Sequence, residues 1–360
     1  MRILSSGSIW QNNILMRVLY FDGLKGLSAI IVLLSHFFLC FLRFDNLSST
    51  PFLRLFFDGG MSVFIFIILS AFGICVSLDN QNVEDAIVKV GLKRYFRLSL
   101  PLVWPSLLGF LICVIGANYN VIVGKEINNE WVRTLLPEEL AINQLTSGVA
   151  VGVLRGSAFI NPLWMMKYIF WGTFIVIPLF CVAKRMNRAL LQALFLLAMG
   201  ILFYSESIFF ASSIVGVLFY FFHNYGEKNK RFLFLFSLIS LISLEILPEA
   251  ETYLVMLLKG ISVIMIVRYG FTLQACLSSP PFLWLSKISY QLYLVHTIII
   301  ASFSSYLYLY LEHNYVNYLL LFFVSVLLIM LFALLFTKLD LLVDKKVNDV
   351  FAYLLKKKTR

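Results

Sequence analysis

Three ionisable residues in the first apolar stretch have a spacing that suits proton transfer. Asp22 and Lys25 lie in the sequence Phe-Asp-Gly-Leu-Lys-Gly, and His36 follows the lysine after ten intervening positions. On an α-helix the eleven positions from Lys25 to His36 make about three turns and about 16 Å of rise. The three side chains therefore lie on one face of the helix and form one polar stripe. A neutral imidazole on such a stripe can act as a general base towards a hydroxyl group. The alternative is a histidine that only hydrogen-bonds a neighbouring helix.

A cluster of basic residues further along the chain suits a polyphosphate ligand. Lys93, Arg94 and Arg97 fall within five positions and precede a proline at position 101. Ammonium and guanidinium groups on one turn can donate charge-assisted hydrogen bonds to phosphate oxygens. The same cluster is also typical of a cytoplasmic loop that only fixes the topology of a membrane protein.

The remaining candidates are polar or aromatic residues within or beside other apolar stretches: Ser70, Trp164, Lys167, Tyr168, Tyr290 and His296. Ionisable groups inside a bilayer are costly, so each is a functional hypothesis. Structural alternatives exist, because Trp and Tyr form belts at membrane interfaces and small residues beside Ser70 permit close helix packing. A lone intramembrane histidine such as His296 is more often structural.

The elements that position these residues are predicted to be membrane helices. Hydrophobic residues make up 61% of the 360 residues and charged residues only 13%, whereas soluble domains carry about 25% charged residues. We predict an all-α, polytopic integral membrane protein with about ten transmembrane helices. Their predicted bounds are 25–44, 60–78, 100–117, 163–183, 189–204, 206–222, 232–248, 252–268, 288–311 and 315–337.

The distribution of basic residues predicts the orientation of these helices. With the N-terminus inside, 22 Lys and Arg residues fall on the cytoplasmic side and five outside, as the positive-inside rule requires. Both termini are then cytoplasmic, and the net charge of +10 needs no nucleic-acid partner. The predicted organisation is an N-terminal segment 1–20, a membrane domain 21–338 with an external loop 118–162, and a basic tail 339–360.

The five cysteines show no CxxC spacing, and four lie within or at the ends of apolar runs. They are predicted to pack as small apolar residues, with no disulfide framework and no metal site. The N-terminus lacks a short apolar run followed by a small-residue cleavage site. We therefore expect no cleaved signal peptide.

In order along the chain, five motifs resemble the landmarks of the membrane acyltransferase-3 family. They are Phe-Asp-Gly-Leu-Lys-Gly…His, Gly-Gly…Leu-Ser-Ala-Phe-Gly, Lys-Arg-x-x-Arg…Pro, Leu-Trp-Met-Met-Lys-Tyr and Ile-Ser-Tyr-x-Leu-Tyr-Leu-x-His. The resemblance extends from about residue 21 to 335. Members are bacterial inner-membrane enzymes that acylate, most often acetylate, cell-surface glycans.

The resemblance implies an O-acyltransferase that moves an acetyl or other short acyl group from acyl-CoA, as a co-substrate without any bound cofactor, to a sugar hydroxyl. The acceptor would be a lipid-linked or secreted glycan such as an O-antigen, capsule or exopolysaccharide, and glycan-assembly proteins and membrane lipids would be its other partners. His36 would be the base, with Asp22 and Lys25 in its stripe. The basic cluster would bind the donor, and Trp164, Lys167 and Tyr168 would shape the acceptor side.

Two positions depart from the family pattern. The glutamate that members commonly carry on the fourth helix is Ile169 here, and the usual Leu-Ser-Gly is Leu69-Ser70-Ala71. The choice between direct acyl transfer and an acyl-histidine intermediate stays open. A transporter or flippase for a glycan or lipid is the rival interpretation. It would also use intramembrane polar residues, but it would not need a basic donor site on the inner side.

Overall fold

The computed structural model describes residues 7–41, 51–79, 94–140, 142–156, 160–223, 228–246 and 252–358. Within these ranges the chain forms helices and no strand. In chain order the α-helices are α1 Gly7–Phe41, α2 Pro51–Arg54, α3 Gly59–Asp79, α4 94–99, α5 Val103–Val114, α6 Asn120–Glu126, α7 Glu130–Arg133, α8 Ile142–Arg155, α9 Trp164–Lys184, α10 Ala189–Glu206, α11 Ile208–Phe222, α12 Lys230–Ile246, α13 Tyr253–Tyr269, α14 Phe271–Leu277, α15 Pro280–Ile299, α16 Ser305–Tyr310 and α17 Tyr315–Lys358. Short 3-10 turns at Leu55–Phe57, Leu100–Leu102 and Asn161–Leu163 and a π-helix at Ile300–Ser304 complete these elements.

The predicted all-helical membrane architecture is confirmed. Within the described residues, each of the ten predicted stretches overlaps one or more helical elements. Seven helical segments among the described residues are long and apolar enough to cross a membrane, or eight when α13 and α14, bent by 96°, count as one span. The helix α11 is apolar but only 15 residues long. The number of ten crossings and the orientation of the termini stay predictions.

Several helices are longer than their apolar stretches. The first helix begins at Gly7, well before residue 25, and the last continues past residue 337 to Lys358. Beyond its apolar part the last helix is rich in Leu and Lys, which favour helix at little cost. Hydropathy marks only the part of a helix that suits lipid, so it underestimates helices that extend into water. The predicted external loop 118–162 contains α6, α7 and α8.

The chain divides into two compact units, and the first comprises Met1–Phe38, Arg43–Val83 and Gly172–Ser289. Its central helix is α3, which packs against α11 and α13, while α10 packs on α11 and α12 on α13. The close approach of α3 and α11 depends on Gly216, where an added Cβ would lie 2.5 Å from the carbonyl oxygen of Ile68. Small residues at such crossings are typical of membrane helix pairs.

The second unit comprises Leu39–Leu42, Glu84–Trp171 and Tyr290–Arg360. Its short helices α6 and α7 pack together and are held by Asn120. The amide of this buried side chain donates hydrogen bonds to the carbonyl oxygens of Val132, Arg133 and Leu136, at 3.1, 3.0 and 3.0 Å. One asparagine therefore satisfies three backbone acceptors that close this part of the unit.

Candidate active site

The polar stripe of the first helix has all three members on one unbroken helix. The Lys25 ammonium lies 3.2 Å from a carboxylate oxygen of Asp22, and both side chains are partly exposed. Because α1 runs without a break from Gly7 to Phe41, His36 lies about 16 Å beyond Lys25 along the same axis. The His36 side chain is half-buried.

The glycines of the motif around Lys25 let another segment approach α1. A Cβ added at Gly23 would overlap the carbonyl oxygen of Leu277, and one at Gly26 would lie 2.7 Å from the backbone nitrogen of Ser286. The chain between the end of α14 and the first turns of α15 therefore lies directly on the Asp22–Lys25 turn. The motif Phe-Asp-Gly-Leu-Lys-Gly therefore provides both the charged pair and the glycines that permit this close packing.

The surroundings of His36 include the start of α3. A Cβ added at Gly59 would lie 2.9 Å from Oγ of Ser35, the residue before the histidine. The rings of Phe38 and Phe57 also meet, with centroids 4.6 Å apart. The Gly-Gly pair at the start of α3 is thus close to the turn of α1 that carries His36.

Next to that contact lies a nearly buried ionic cluster that the sequence did not predict. The Lys259 ammonium of α13 lies 3.3 Å from a carboxylate oxygen of Asp58 and 2.8 Å from one of Glu245 on α12. Lys259 lies within the predicted helix 252–268, but the sequence does not indicate its carboxylate partners. An isolated glutamate in the apolar run of α12 was the available signal, since such a residue normally has a partner.

The predicted donor cluster is partly described. Arg94 and Arg97 lie three residues apart on α4 and interact electrostatically, while Lys93 lies outside the described residues. Arg97 is exposed, whereas Arg94 is half-buried and also interacts with Tyr290 of α15. The Tyr290 hydroxyl donates a 2.7 Å hydrogen bond to the carbonyl oxygen of Leu98.

Gln291, the residue after Tyr290, adds a second tie that the sequence did not predict. Its amide donates hydrogen bonds to the carbonyl oxygen of Pro101, at 2.9 Å, and to a carboxylate oxygen of Asp340 on α17, at 2.6 Å. Together with Tyr290 it fixes the segment from α4 to α5 on α15. The segment that carries Arg97 is therefore attached to α15 through the carbonyl oxygens of Leu98 and Pro101.

The three predicted acceptor-side residues form one group at the start of α9. The rings of Trp164 and Tyr168 meet at 6.2 Å, and the Lys167 ammonium lies 5.5 Å from the Tyr168 ring centroid. Gly156 ends α8 with a positive φ of 67°, and a Cβ there would lie 2.9 Å from Cβ of Lys167. The Tyr293 hydroxyl binds the carbonyl oxygen of Pro162, at 2.9 Å.

A family model described as an acyltransferase domain matches residues 18–338. The chain belongs to the acyltransferase-3 family. The match covers nearly the whole chain and confirms the resemblance drawn from the five motifs. No curated protein and no solved structure matches the chain. The chain is thus a membrane acyltransferase in which the clusters described above are candidate functional groups.

One departure from the family pattern is Ala71, which stands where members usually have glycine, and the acyltransferase accommodates it next to Gly216 of α11. Ala71 follows the half-buried Ser70, and a Cβ added at Gly216 of α11 would lie 2.6 Å from the Ala71 Cβ. The glycine thus leaves the space that the alanine methyl fills. Ile169 is half-buried on α9 and brings no charge to the position where members often carry glutamate.

The second intramembrane histidine has the environment of a packing residue. His296 is fully buried, its Nδ1 lies 3.2 Å from the carbonyl oxygen of Leu292, and its ring meets that of Tyr293.

In the first unit the structure brings together Asp22 with Lys25, and the start of α3 with the His36 turn. In the second unit it brings together Arg94, Arg97 and Tyr290, and separately Trp164, Lys167 and Tyr168. Within the described residues, no group of three His, Cys, Asp or Glu side chains could hold a metal ion.

Proposed function

We propose that this membrane acyltransferase transfers an acetyl or other short acyl group from acyl-CoA to a sugar hydroxyl of a cell-surface glycan. An O-antigen, a capsule or an exopolysaccharide unit would be the acceptor. The observation that carries the proposal is His36, half-buried on an unbroken helix that also holds the Asp22–Lys25 pair, in a chain of the acyltransferase-3 family. The protein would act in a bacterial inner membrane.

The chemistry follows from a neutral imidazole at His36. It takes the proton of the sugar hydroxyl as the hydroxyl oxygen attacks the thioester carbonyl carbon, and the carbon–sulfur bond breaks. The departing CoA thiolate then receives the proton. In the two-step variant the imidazole first accepts the acyl group, and the sugar hydroxyl attacks that acyl-histidine. Both routes make one ester and one free CoA.

The donor would bind through cations at the inner side. Arg97 is exposed and so available to the CoA phosphates, with Arg94 beside it. From the sequence alone, Lys93 and Lys25 are further candidates for contact with the donor. CoA would be a co-substrate, and the proposal includes no bound cofactor. On the outer side, Trp164, Lys167 and Tyr168 would contact the acceptor, since aromatic rings and ammonium groups suit sugar faces and hydroxyls.

The proposed orientation puts both termini in the cytoplasm, where acyl-CoA is made, and residues 118–162 outside. The distribution of 22 inner and five outer basic residues supports it. Membrane lipids surround the helices, and glycan-assembly proteins are the expected protein partners. Nucleic acid has no part in this function.

Mass and NMR analysis of the surface polysaccharide, with and without the gene, tests the proposal. Deletion should remove the mass of one acyl group per repeat and the matching acyl resonances, and the parent gene should restore them. An unchanged repeat would contradict the enzyme. Loss or shortening of the whole polymer would instead favour a transporter or flippase.

A further inference from the structure

The ionic cluster of Asp58, Glu245 and Lys259 has no role in the chemistry proposed so far. Its side chains are 11%, 6% and 12% exposed, so two carboxylates and one ammonium are almost removed from solvent. Burying ion pairs gains little stability, because desolvation offsets much of the attraction. A cluster of this kind is better explained by a need to fix one arrangement of the helices that contribute to it.

Asp58 is the member of the cluster that links the start of α3 to the charged residues on α13 and α12. One carboxylate oxygen accepts a 2.7 Å hydrogen bond from the backbone N–H of Met61, which caps the start of α3. The other oxygen lies 3.3 Å from the Lys259 ammonium on α13, and Lys259 also pairs with Glu245 on α12. The first turn of α3 is therefore tied to two other helices through a single carboxylate.

The residue that follows Asp58 touches the turn of α1 that carries the proposed base. Gly59 approaches Ser35 so closely that an added Cβ would lie 2.9 Å from Oγ and 3.1 Å from Cβ of the serine. Ser35 immediately precedes His36. A shift of the α3 start towards α1 therefore displaces the backbone from which the imidazole extends, because the contact has no room for even one methyl group.

We propose that Asp58 is a positioning residue for His36, acting through the contact between Gly59 and Ser35 and held by Lys259 and Glu245. The inference rests on the proposed role of His36 as the base. Displacing a catalytic group by about 1 Å can cost about 100-fold in rate without altering how substrate binds elsewhere. Loosening this contact should therefore lower kcat and leave the KM for the donor unchanged.

The first test removes the ion pair between Asp58 and Lys259 and keeps the hydrogen bond that caps the start of α3. In Asp58→Asn the side-chain oxygen still accepts from Met61, because asparagine is as good an N-cap as aspartate, and Lys259 keeps Glu245 as its partner. The matched control is Asp79→Asn at the other end of the same helix, where Asp79 pairs with the exposed Lys184 at 2.6 Å. Initial rates are measured in inside-out membrane vesicles of the native host, with radiolabelled acetyl-CoA and the endogenous glycan.

We expect Asp58→Asn to lower the maximal rate by about tenfold or more, with the KM for acetyl-CoA within about twofold of the parent. Asp79→Asn should match the parent in both values. A parent-like rate for Asp58→Asn overturns the proposal. A rise in KM equal to the fall in rate overturns it as well, since that would indicate a loss of donor binding. Rates are compared at matched abundance of the protein in the membrane, so that a loss of folded protein is not counted as a fall in rate.

A second pair of variants tests the contact without altering any charge and decides the matter if Asp58→Asn accumulates poorly. Gly59→Ala should reproduce the loss of rate, and Gly59→Ala with Ser35→Gly should recover most of it, because the serine atoms that the new methyl meets are gone. Gly73→Ala in the same helix is the control, since a Cβ there meets nothing within 4 Å. A fully active Gly59→Ala, or no recovery in the double variant, contradicts the route through Ser35.

The parent and His36→Gln keep this result separate from the proposed function. If parent vesicles incorporate no label from acetyl-CoA or from another short acyl-CoA, the proposed function has failed. If His36→Gln is as active as the parent, its role as the base has failed. If the parent is active, His36→Gln is inactive and Asp58→Asn is unaffected, the proposed function stands and the positioning role alone is wrong.

Discussion

At the scale of single residues, the two described arginines of the donor cluster have different surroundings. Arg97 is exposed, whereas Arg94 is half-buried beside Tyr290. Arg97→Ala should therefore raise the KM for acetyl-CoA by about 10- to 150-fold, the cost of one charge-assisted contact of about 1.5–3 kcal/mol, with normal protein abundance. Arg94→Ala should also lower abundance, because it removes a packed side chain. An unchanged KM in Arg97→Ala would make the arginine only a topology anchor.

Residue-scale prediction succeeds where partners are close in sequence. The periodicity of one helix is enough to put Asp22 and Lys25 on a common face, and their side chains lie 3.2 Å apart. The pair of Asp58 and Lys259 has a separation of 201 positions, so no helical period links them. The two side chains meet only because α3, α12 and α13 pack against one another in the folded protein.

At the scale of elements, the packing of α1 against the chain near residue 286 depends on Gly26. A Cβ there would lie 2.7 Å from the Ser286 nitrogen and 3.0 Å from the Leu285 carbonyl carbon, both backbone atoms that cannot rotate away. Gly26→Ala should lower the stability of the purified protein by about 1–3 kcal/mol. Gly200→Ala, whose Cβ meets nothing within 4 Å, should be neutral or stabilising. Thermal unfolding in detergent compares the two, and equal melting temperatures would contradict the close packing of α1.

The seven long apolar spans among the described residues could be predicted because lipid selects composition over about 20 residues. The bend of 96° between α13 and α14 could not. It occurs at Gly270, whose N–H still binds the Ile266 carbonyl, while Arg268 is buried and donates to the His223 carbonyl oxygen at 3.0 Å. Arg268 is the last residue of the predicted helix 252–268, and hydropathy registers its charge but not its tertiary partner.

At the scale of the whole molecule, orientation is the prediction on which the separation of donor and acceptor depends. In a background without the five cysteines, Glu139→Cys in the segment after α7 should react with an impermeant thiol reagent in intact spheroplasts. Asn187→Cys, in the turn between α9 and α10, should react only after lysis. Both positions are exposed, so accessibility alone does not distinguish them. Protection of position 139 in intact cells would overturn the orientation.

The central claim is that His36 is the base of a membrane acyltransferase, and one comparison of surface-glycan acylation tests it most directly. Cells lacking the gene are complemented with the parent, His36→Gln or His313→Ala, at matched abundance in the membrane. Glutamine can keep a hydrogen bond but cannot shuttle a proton, and a general base contributes about 10²- to 10⁴-fold, so His36→Gln should leave the glycan unacylated. His313, partly exposed beside Tyr318, should be dispensable. A normally abundant and fully active His36→Gln would contradict the account.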